Sequence, residues 1–535
     1  MSADSARLAA VLARYGGYGL SGTVGFERGG YEPVSLAVGS ARPGVDMRTD
    51  VVFESGSLTK SVTAAAILLL RRRGRLGLED SLNLFWPSLP HAVGGITIHQ
   101  LLTHTSGLPE NWPDAIVTDS VPRSLAEVTP AARPGEAWEY SNLGYTVLAA
   151  LVEERSGTGF ETFVRRELFA QLHEAHMGFL PATSWTPDRT ALGGSGPLGS
   201  GRITRRHEPA PHPRSMRGAT GLVASVPALL RWARALSDGT LMGRRQAEAM
   251  FAEYPPEIGY GWFHLERDGI RIIAHGGDTE GFQTYLAHVP SEDLSYALAI
   301  NDRLGWRGAV LDAVHAVLLD DSMPRLPPAV LTTEHPLPEG TYLPPGSGAD
   351  TLFAEAENGG LRMRAVGQAA IDILVGADAK TARRLRERSA ASLRFLEAVV
   401  AGDSARLGEA IVGGQDRIAS FRRIWDAALD GRTAPTGIRI LGTVPDRAGR
   451  EVTYARLAFD DGRDATVRLV WRPHLDGWGT GGDVPSRRFL PVAGDGLVSF
   501  DPVTRSWTRL DVRHSDDGTI RLFGPVGEAV RHQAG

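Results

Sequence analysis

The stretch Phe53-Glu-Ser-Gly-Ser-Leu-Thr-Lys60, with the apolar run behind it, constrains this chain more than any other feature. Ser57 and Lys60 stand three residues apart, so a helix opening here puts hydroxyl and amine on one face, within mutual reach. A serine alcohol is a poor nucleophile until a base takes its proton. A lysine is such a base only when its ammonium form is disfavoured, and burial lowers a lysine pKa by up to about 3–5 units. Ser61-Val-Thr-Ala-Ala-Ala-Ile-Leu-Leu-Leu70 supplies apolar surroundings of that kind. Composition adds a second argument. Of the 57 Lys+Arg residues, only Lys60 and Lys380 are lysine. The rest are arginine, which cannot give up its proton.

The chain's 535 residues imply two or three domains. Hydrophobic content of 42%, charge of 22% and a net charge of −5 are those of an ordinary globular protein, with no electrostatic footprint for nucleic acid. Cysteine is absent, which excludes disulfides and thiolate metal sites. The first residues form an amphipathic helix rather than a secretory signal. The run to Leu70 stops at three arginines, far short of the ~20 apolar residues that span a bilayer. The expectation is a cytoplasmic protein without cofactor or metal and without nucleic-acid or membrane partners. The sequence leaves its oligomeric state open.

Further motifs follow in order. Gly22–Phe26 and Val34–Val38 read as a hairpin, and the Ser57 segment as the start of a helix to about Arg73. His99 and His104 lack the spacing of a zinc site and are expected to be structural. Tyr140-Ser-Asn142 precedes an apolar helix placed at Thr146–Glu154. There a phenol can share a proton with Ser57 and Lys60, and an amide can donate to a substrate carbonyl. The plainer alternative makes Asn142 a helix N-cap and Tyr140 packing. Residues 183–214 form a long loop with His207 and His212, to which the sequence assigns no chemistry. Gly218–Ser225 leads into a helix, Val226–Leu236. Gly259–Ala274 is a hairpin turning at Asp268-Gly269, and its second strand ends in His275-Gly-Gly-Asp278. A glycine-rich strand end lets backbone N–H groups approach a ligand, as an oxyanion hole requires.

Ser57-Leu-Thr-Lys60, Tyr140-Ser-Asn142 and His275-Gly-Gly277, in this order and spacing, resemble the three motifs of the serine β-lactamase and penicillin-binding protein superfamily. The resemblance is to the class C-like branch of D-aminopeptidases, DD-carboxypeptidases and esterases, and spans about residues 5–320. It implies an α+β catalytic domain, an antiparallel sheet flanked by helices with an all-helical lobe. It implies that Ser57 forms an acyl-enzyme and that Lys60 and Tyr140 serve as base and then acid. It implies that Asn142 orients the substrate and that the N–H groups of Ser57 and Asp278 form the oxyanion hole. Finally, it implies that His275, Gly276 and Gly277 line the far wall. Histidine stands where β-lactamases commonly carry lysine, and Gly276 lacks the hydroxyl that often completes the motif. Both changes favour an ester, amide or D-amino-acid peptide over a typical β-lactam.

Prolines crowd residues 323–345, which reads as a linker after a catalytic domain at 1–322. Beyond it, Phe353–Val366 is a strand pair with an Asn358-Gly359 turn. Helices follow, with Leu393, Leu396 and Val400 on one face and Phe421, Ile424, Trp425, Ala428 and Leu429 on another, and then strands to the end. Region 346–535 is therefore expected to be β-rich. Its outer parts resemble a lipocalin-like β-domain, and 389–480 resembles an inserted NTF2-like α+β fold. The functional expectation is a serine hydrolase on a small molecule or peptide. Acyl transfer or peptide cyclisation at the same site, weak β-lactamase activity, and a penicillin-binding-type sensor are the alternatives.

Overall fold

In a computed structural model the chain is described at residues 2–113, 120–172, 176–180, 186–196, 203, 205–331, 337–357, 359–411, 418, 421–422, 425–426, 429, 434–446, 450–472, 474–480 and 485–532. It divides into two compact units. One comprises Met1–Leu12, Leu20–Ser195 and Arg205–Arg303; the other comprises Ala13–Gly19, Gly196–Thr204 and Leu304–Gly535.

Helix α1 (Ala3–Gly17) opens the chain, and in the first unit strands β1 (Gly22–Arg28) and β2 (Val34–Val38) pair as the expected hairpin. A short strand, β3 (Phe53–Glu54), is followed by a single 3-10 turn at Gly56–Leu58 and helix α2 (Thr59–Arg72). Every residue of α2 from Thr59 to Leu70 is buried. Burial of Ile67, Leu68, Leu69 and Leu70 contributes about 1.5–3 kcal/mol each, which fixes the helix that carries Lys60 in the core. Helix α3 (Asn142–Ser156) packs beside it.

Two sequence expectations are corrected here. Helix α3 begins at Asn142 rather than Thr146, and its N-cap is Ser141, whose hydroxyl accepts the Gly144 N–H at 2.9 Å. The Gly218–Ser225 run is not only a lead-in. It contains a strand, and β4 (Met177–Phe179) and β5 (Leu222–Ala224) form a small sheet with β3 in the order β3-β5-β4. Helix α4 (Val226–Ser237) follows, capped by Ser225.

The main sheet is completed by β6 (Ile258–Gly259), β7 (Trp262–Arg267), β8 (Ile270–Asp278), β9 (Gln283–Val289) and β10 (Leu294–Ile300). Its seven antiparallel strands run β6-β7-β8-β9-β10-β1-β2. Strand β10 is buried at every position, as a strand covered on both faces must be. The β8–β9 register sets Asp278 opposite Gln283 and His275 opposite Leu286, which places the His275-Gly-Gly-Asp278 end beside the turn that carries Ser57.

In the second unit, helix α5 (Trp306–Leu318) precedes a closed antiparallel barrel. Three of the barrel's eight strands lie between Gly340 and Val366, and five between Ser486 and Arg531. Tyr342, Leu352, Leu361, Met363, Phe489 and Leu510 pack its core, together with Ile371, Ile373 and Leu374 of helix α6 (Gln368–Val375). Between the two sets of strands, helix α7 (Ala379–Val400) crosses a four-stranded antiparallel sheet built from residues 437–480. Phe395, Leu396, Phe421, Trp425 and Trp471 pack there. The region is β-rich with a closed barrel, as the sequence implies. Asn358, Ile424 and Ala428 lie outside the described residues, as do parts of the 183–214 loop. Among the described residues no helix is long and apolar enough to cross a membrane.

Candidate active site

The Ser57 turn is held by β5 and β9 and packs against the end of β8. Ser55 N–H donates to Leu222 O at 2.8 Å, and Ser55 O accepts the Thr284 hydroxyl at 3.1 Å. A Cβ on Gly56, whose φ is +50°, would stand 2.8 Å from Asp278 N. A Cβ on Gly277 would stand 1.9 Å from Ser55 O. Only glycine fits at both positions, so the Asp278 backbone comes up against the turn bearing Ser57.

Lys60 is wholly buried. Its Nζ lies 3.1 Å from Ser57 Oγ, 2.7 Å from Asn142 Oδ1 and 3.2 Å from Ala219 O. Burial pushes its pKa well below the ordinary lysine value, against a smaller upward pull from the Glu110 carboxylate. The partners define what a neutral amine does here. Asn142 Oδ1 and Ala219 O only accept, so they take its two hydrogens. In that form its lone pair would face the Ser57 hydroxyl, the one partner able to donate to it.

Tyr140 donates its O–H to Ser57 Oγ at 2.8 Å, and burial raises its pKa, so it stands as a protonated phenol. Its ring stacks on His104 at 4.7 Å. His104 is buried at a φ of +59°, a left-handed conformation that costs a non-glycine residue about 1–2 kcal/mol. Its Nδ1 accepts Ser141 N–H at 3.0 Å, which requires a lone pair there. Burial pushes its pKa well below the usual histidine value. His104 thus braces Tyr140 and the start of α3 as a neutral ring. His99 contacts Tyr260 OH at 2.8 Å and Tyr254 by its ring edge, and it too is packing. Asn142 is more committed than the sequence suggests. Its Oδ1 faces Lys60, and its Nδ2 donates to Asn111 Oδ1 at 3.0 Å, leaving one amide hydrogen.

Ser57, Tyr140, Asn142, His275, Gly276 and Asp278 share one cavity of about 450 Å³. His275 is buried, with Nδ1 2.6 Å from Gly276 O, so that nitrogen carries its proton. Gly277 lies behind the wall, against Ser55. Four further lining residues escape the sequence reading: Glu110, Met216, Thr220 and Phe263. Glu110 follows Pro109 directly, a loop position after the His104 segment that was the available signal for it; the others reach the cavity only through tertiary packing. No arginine lines the cavity among the described residues, while Glu110 and Asp278 do.

The two histidines without assigned chemistry each bridge a hydroxyl and a carboxylate. His207 lies 2.8 Å from Ser195 Oγ and 3.2 Å from Glu280. His212 lies 2.8 Å from Thr220 Oγ1 and 4.0 Å from Glu54.

A buried amine and a phenol converging on one serine is the arrangement that the sequence motifs imply, and comparison with known proteins decides the family. The family model Beta-lactamase matches residues 9–320. The chain belongs to the beta-lactamase family. Within this family of serine hydrolases, Penicillin-binding protein 4* of Bacillus subtilis (strain 168) is 28% identical over 301 residues, covering 51% of this chain and 66% of that protein. Putative penicillin-binding protein PbpX of the same strain is 29% identical over 201 residues, covering 37% and 50%. The chain thus spans about half to two thirds of the length of these curated relatives. The crystal structure of SurE shares the fold over 99% of both chains, with a TM-score of 0.52 and 18% identity.

Proposed function

We propose that the protein is a serine hydrolase that acylates Ser57, acting on esters, amides or D-amino-acid-containing peptides whose carboxylate is not the recognised group. The observation carrying this reading is the placement of Lys60: a fully buried amine 3.1 Å from Ser57 Oγ, whose other two partners are carbonyl oxygens that only accept. In the first step Lys60 takes the Ser57 proton as Oγ attacks the carbonyl carbon. The N–H groups of Ser57 and Asp278 receive the oxyanion. Tyr140, already protonated and aimed at Ser57 Oγ, gives its proton to the leaving group and recovers one by way of Lys60. Water then attacks the acyl-enzyme, with the proton transfers reversed.

The cavity walls argue for the substrate class. Among the described residues a substrate carboxylate would meet Glu110 and Asp278 and no guanidinium, and the buried His275 ring presents no lysine-like ammonium. Uncharged or amine-bearing acyl groups fit this field better.

The test is turnover of p-nitrophenyl esters, D-amino-acid anilides and nitrocefin side by side, with intact mass after a fluorophosphonate. The reading expects ester or anilide turnover above that of nitrocefin, and one adduct that Ser57→Ala abolishes. Absence of any adduct on the wild type would favour a non-acylating binding protein. Added amines that divert product from acid to amide would assign acyl transfer.

A further inference from the structure

The Ala219 carbonyl fixes one hydrogen of Lys60, and so helps decide where the lone pair points. Its own backbone gives it little stiffness, because Gly218 and Gly221 flank the Ala219-Thr220 pair at φ +80° and +105°. Side chains hold the segment instead. Thr63 of α2 donates to Gly218 O at 2.7 Å, and Thr146 of α3 donates to Ser215 O at 2.9 Å. Leu222 N–H donates to Thr59 Oγ1 at 3.0 Å. These ties come from the two helices that carry Lys60 and Asn142.

A further tie comes from the loop at 208–214. Thr220 Oγ1 lies 2.8 Å from His212 Nδ1, and His212 Nε2 faces Glu54 Oε1 at 4.0 Å. Glu54 is itself fixed, accepting Ala210 N–H at 3.0 Å, and sits on β3 three residues before Ser57. At 4.0 Å the Glu54 carboxylate is beyond a direct hydrogen bond, but its charge favours the imidazole tautomer with the proton on the nitrogen that faces it, Nε2. Nδ1 then accepts the Thr220 O–H. The threonine has one hydrogen, so its alternative acceptor, Met216 O at 3.5 Å, is given up. The Glu54–Ala210 and His212–Thr220 hydrogen bonds, both made by the 208–214 loop, therefore link the nucleophile's strand to the segment that holds the base.

We propose that His212, oriented by Glu54, is a positioning residue of the reaction: it pins Thr220 so that the adjoining Ala219 carbonyl keeps the Lys60 amine aimed at Ser57. This rests on Lys60 being the acylating base, as proposed above. Neither His212 nor Glu54 lines the Ser57 cavity, so their effect would be exerted on the rate of the chemical step rather than on binding.

The test compares the full-length wild type, Thr220→Val, Thr220→Ser, His212→Ala and His212→Asn, by fluorophosphonate acylation over a range of probe concentrations. Thr220→Val and His212→Ala are expected to lower the saturating acylation rate about tenfold to a hundredfold, as a small misplacement of a reacting group does, while the half-saturating concentration of His212→Ala holds. Thr220→Ser, which keeps the hydroxyl, and His212→Asn, whose amide oxygen can replace Nδ1, are expected to recover most of that loss. The proposal is overturned if Thr220→Val and His212→Ala acylate at the wild-type rate, if the loss in His212→Ala, which lies outside the cavity, is in the half-saturating concentration, or if the conservative variants recover nothing. Thermal unfolding of each variant identifies any that is not folded, and the other position then decides. No adduct on the wild type would overturn the base assignment and this inference with it. A wild-type adduct with unaltered variants overturns only the inference.

Discussion

Replacing Tyr140 by phenylalanine removes one oxygen and keeps the ring, which is locked by its stack on His104 and by the Lys60 amine 4.7 Å from its centroid. Two losses follow, and they differ in size. In the free enzyme Ser57 Oγ loses a hydrogen bond of 2.8 Å, worth about 0.5–1.5 kcal/mol net. In the proposed reaction the leaving group loses its proton donor, worth about 10²–10⁴ in rate, or about 3–5 kcal/mol of barrier. The second loss appears only when the leaving group needs a proton. p-Nitrophenolate leaves without one near neutral pH; an anilide nitrogen does not. Tyr140→Phe is therefore expected to lose less than about tenfold on a p-nitrophenyl ester and about 10²–10⁴ on an anilide of the same acyl group. Steady-state kcat/KM on the matched pair measures this directly. Equal losses on the two substrates would refute the proton-donor role. Unchanged anilide turnover would remove the phenol from the mechanism.

Other consequences follow from the same geometry. Lys60→Met keeps the length of the side chain but removes the base, and acylation is expected to fall by about 10²–10⁴ in a protein whose circular dichroism is unchanged; near-normal labelling would make Lys60 merely structural. In Gly277→Ala the new Cβ meets Ser55 O at 1.9 Å and Thr284 Oγ1 at 2.4 Å, so β8 must draw back from the Ser57 turn. Acylation is then expected to drop by about 10²–10³, as when one oxyanion donor is lost, and an unaltered rate would place the oxyanion site elsewhere. The acylation rate should rise with pH as Lys60 loses its proton, with a midpoint well below the ordinary lysine value of about 10.4, because burial disfavours the ammonium. Glu110 holds that proton on. Glu110→Gln should thus move the acid limb to lower pH, and a limb that moves up or stays would contradict the assigned field.

Much of this site was legible because its chemistry is local. Ser57 and Lys60 share one helical turn, and the His275-Gly-Gly-Asp278 strand end follows a plain hairpin, so spacing alone set their relation. Tyr140 entered through a motif and not through periodicity. What stayed hidden depends on contacts that spacing cannot encode. Asn142 reads as a substrate donor, yet its oxygen is turned to Lys60 because Asn111 holds its nitrogen. Glu110 and Thr220 reach the cavity from loops separated by about a hundred residues of sequence, and His212 gains a partner only when β5 folds beside β3. In the second unit the barrel was hard to read because its strands are interrupted between Val366 and Ser486, which separates paired neighbours by over a hundred residues.

The central claim is that Lys60 is a neutral amine at working pH. The chain offers a direct measurement, since Lys60 and Lys380 are its only lysines. Isotope-labelled lysine gives two side-chain signals by NMR, assigned with Lys380→Arg, and each is followed against pH. The account predicts that the Lys60 signal titrates well below the value of about 10.4 for a free lysine side chain. A Lys60 signal that keeps its proton up to that pH would contradict it.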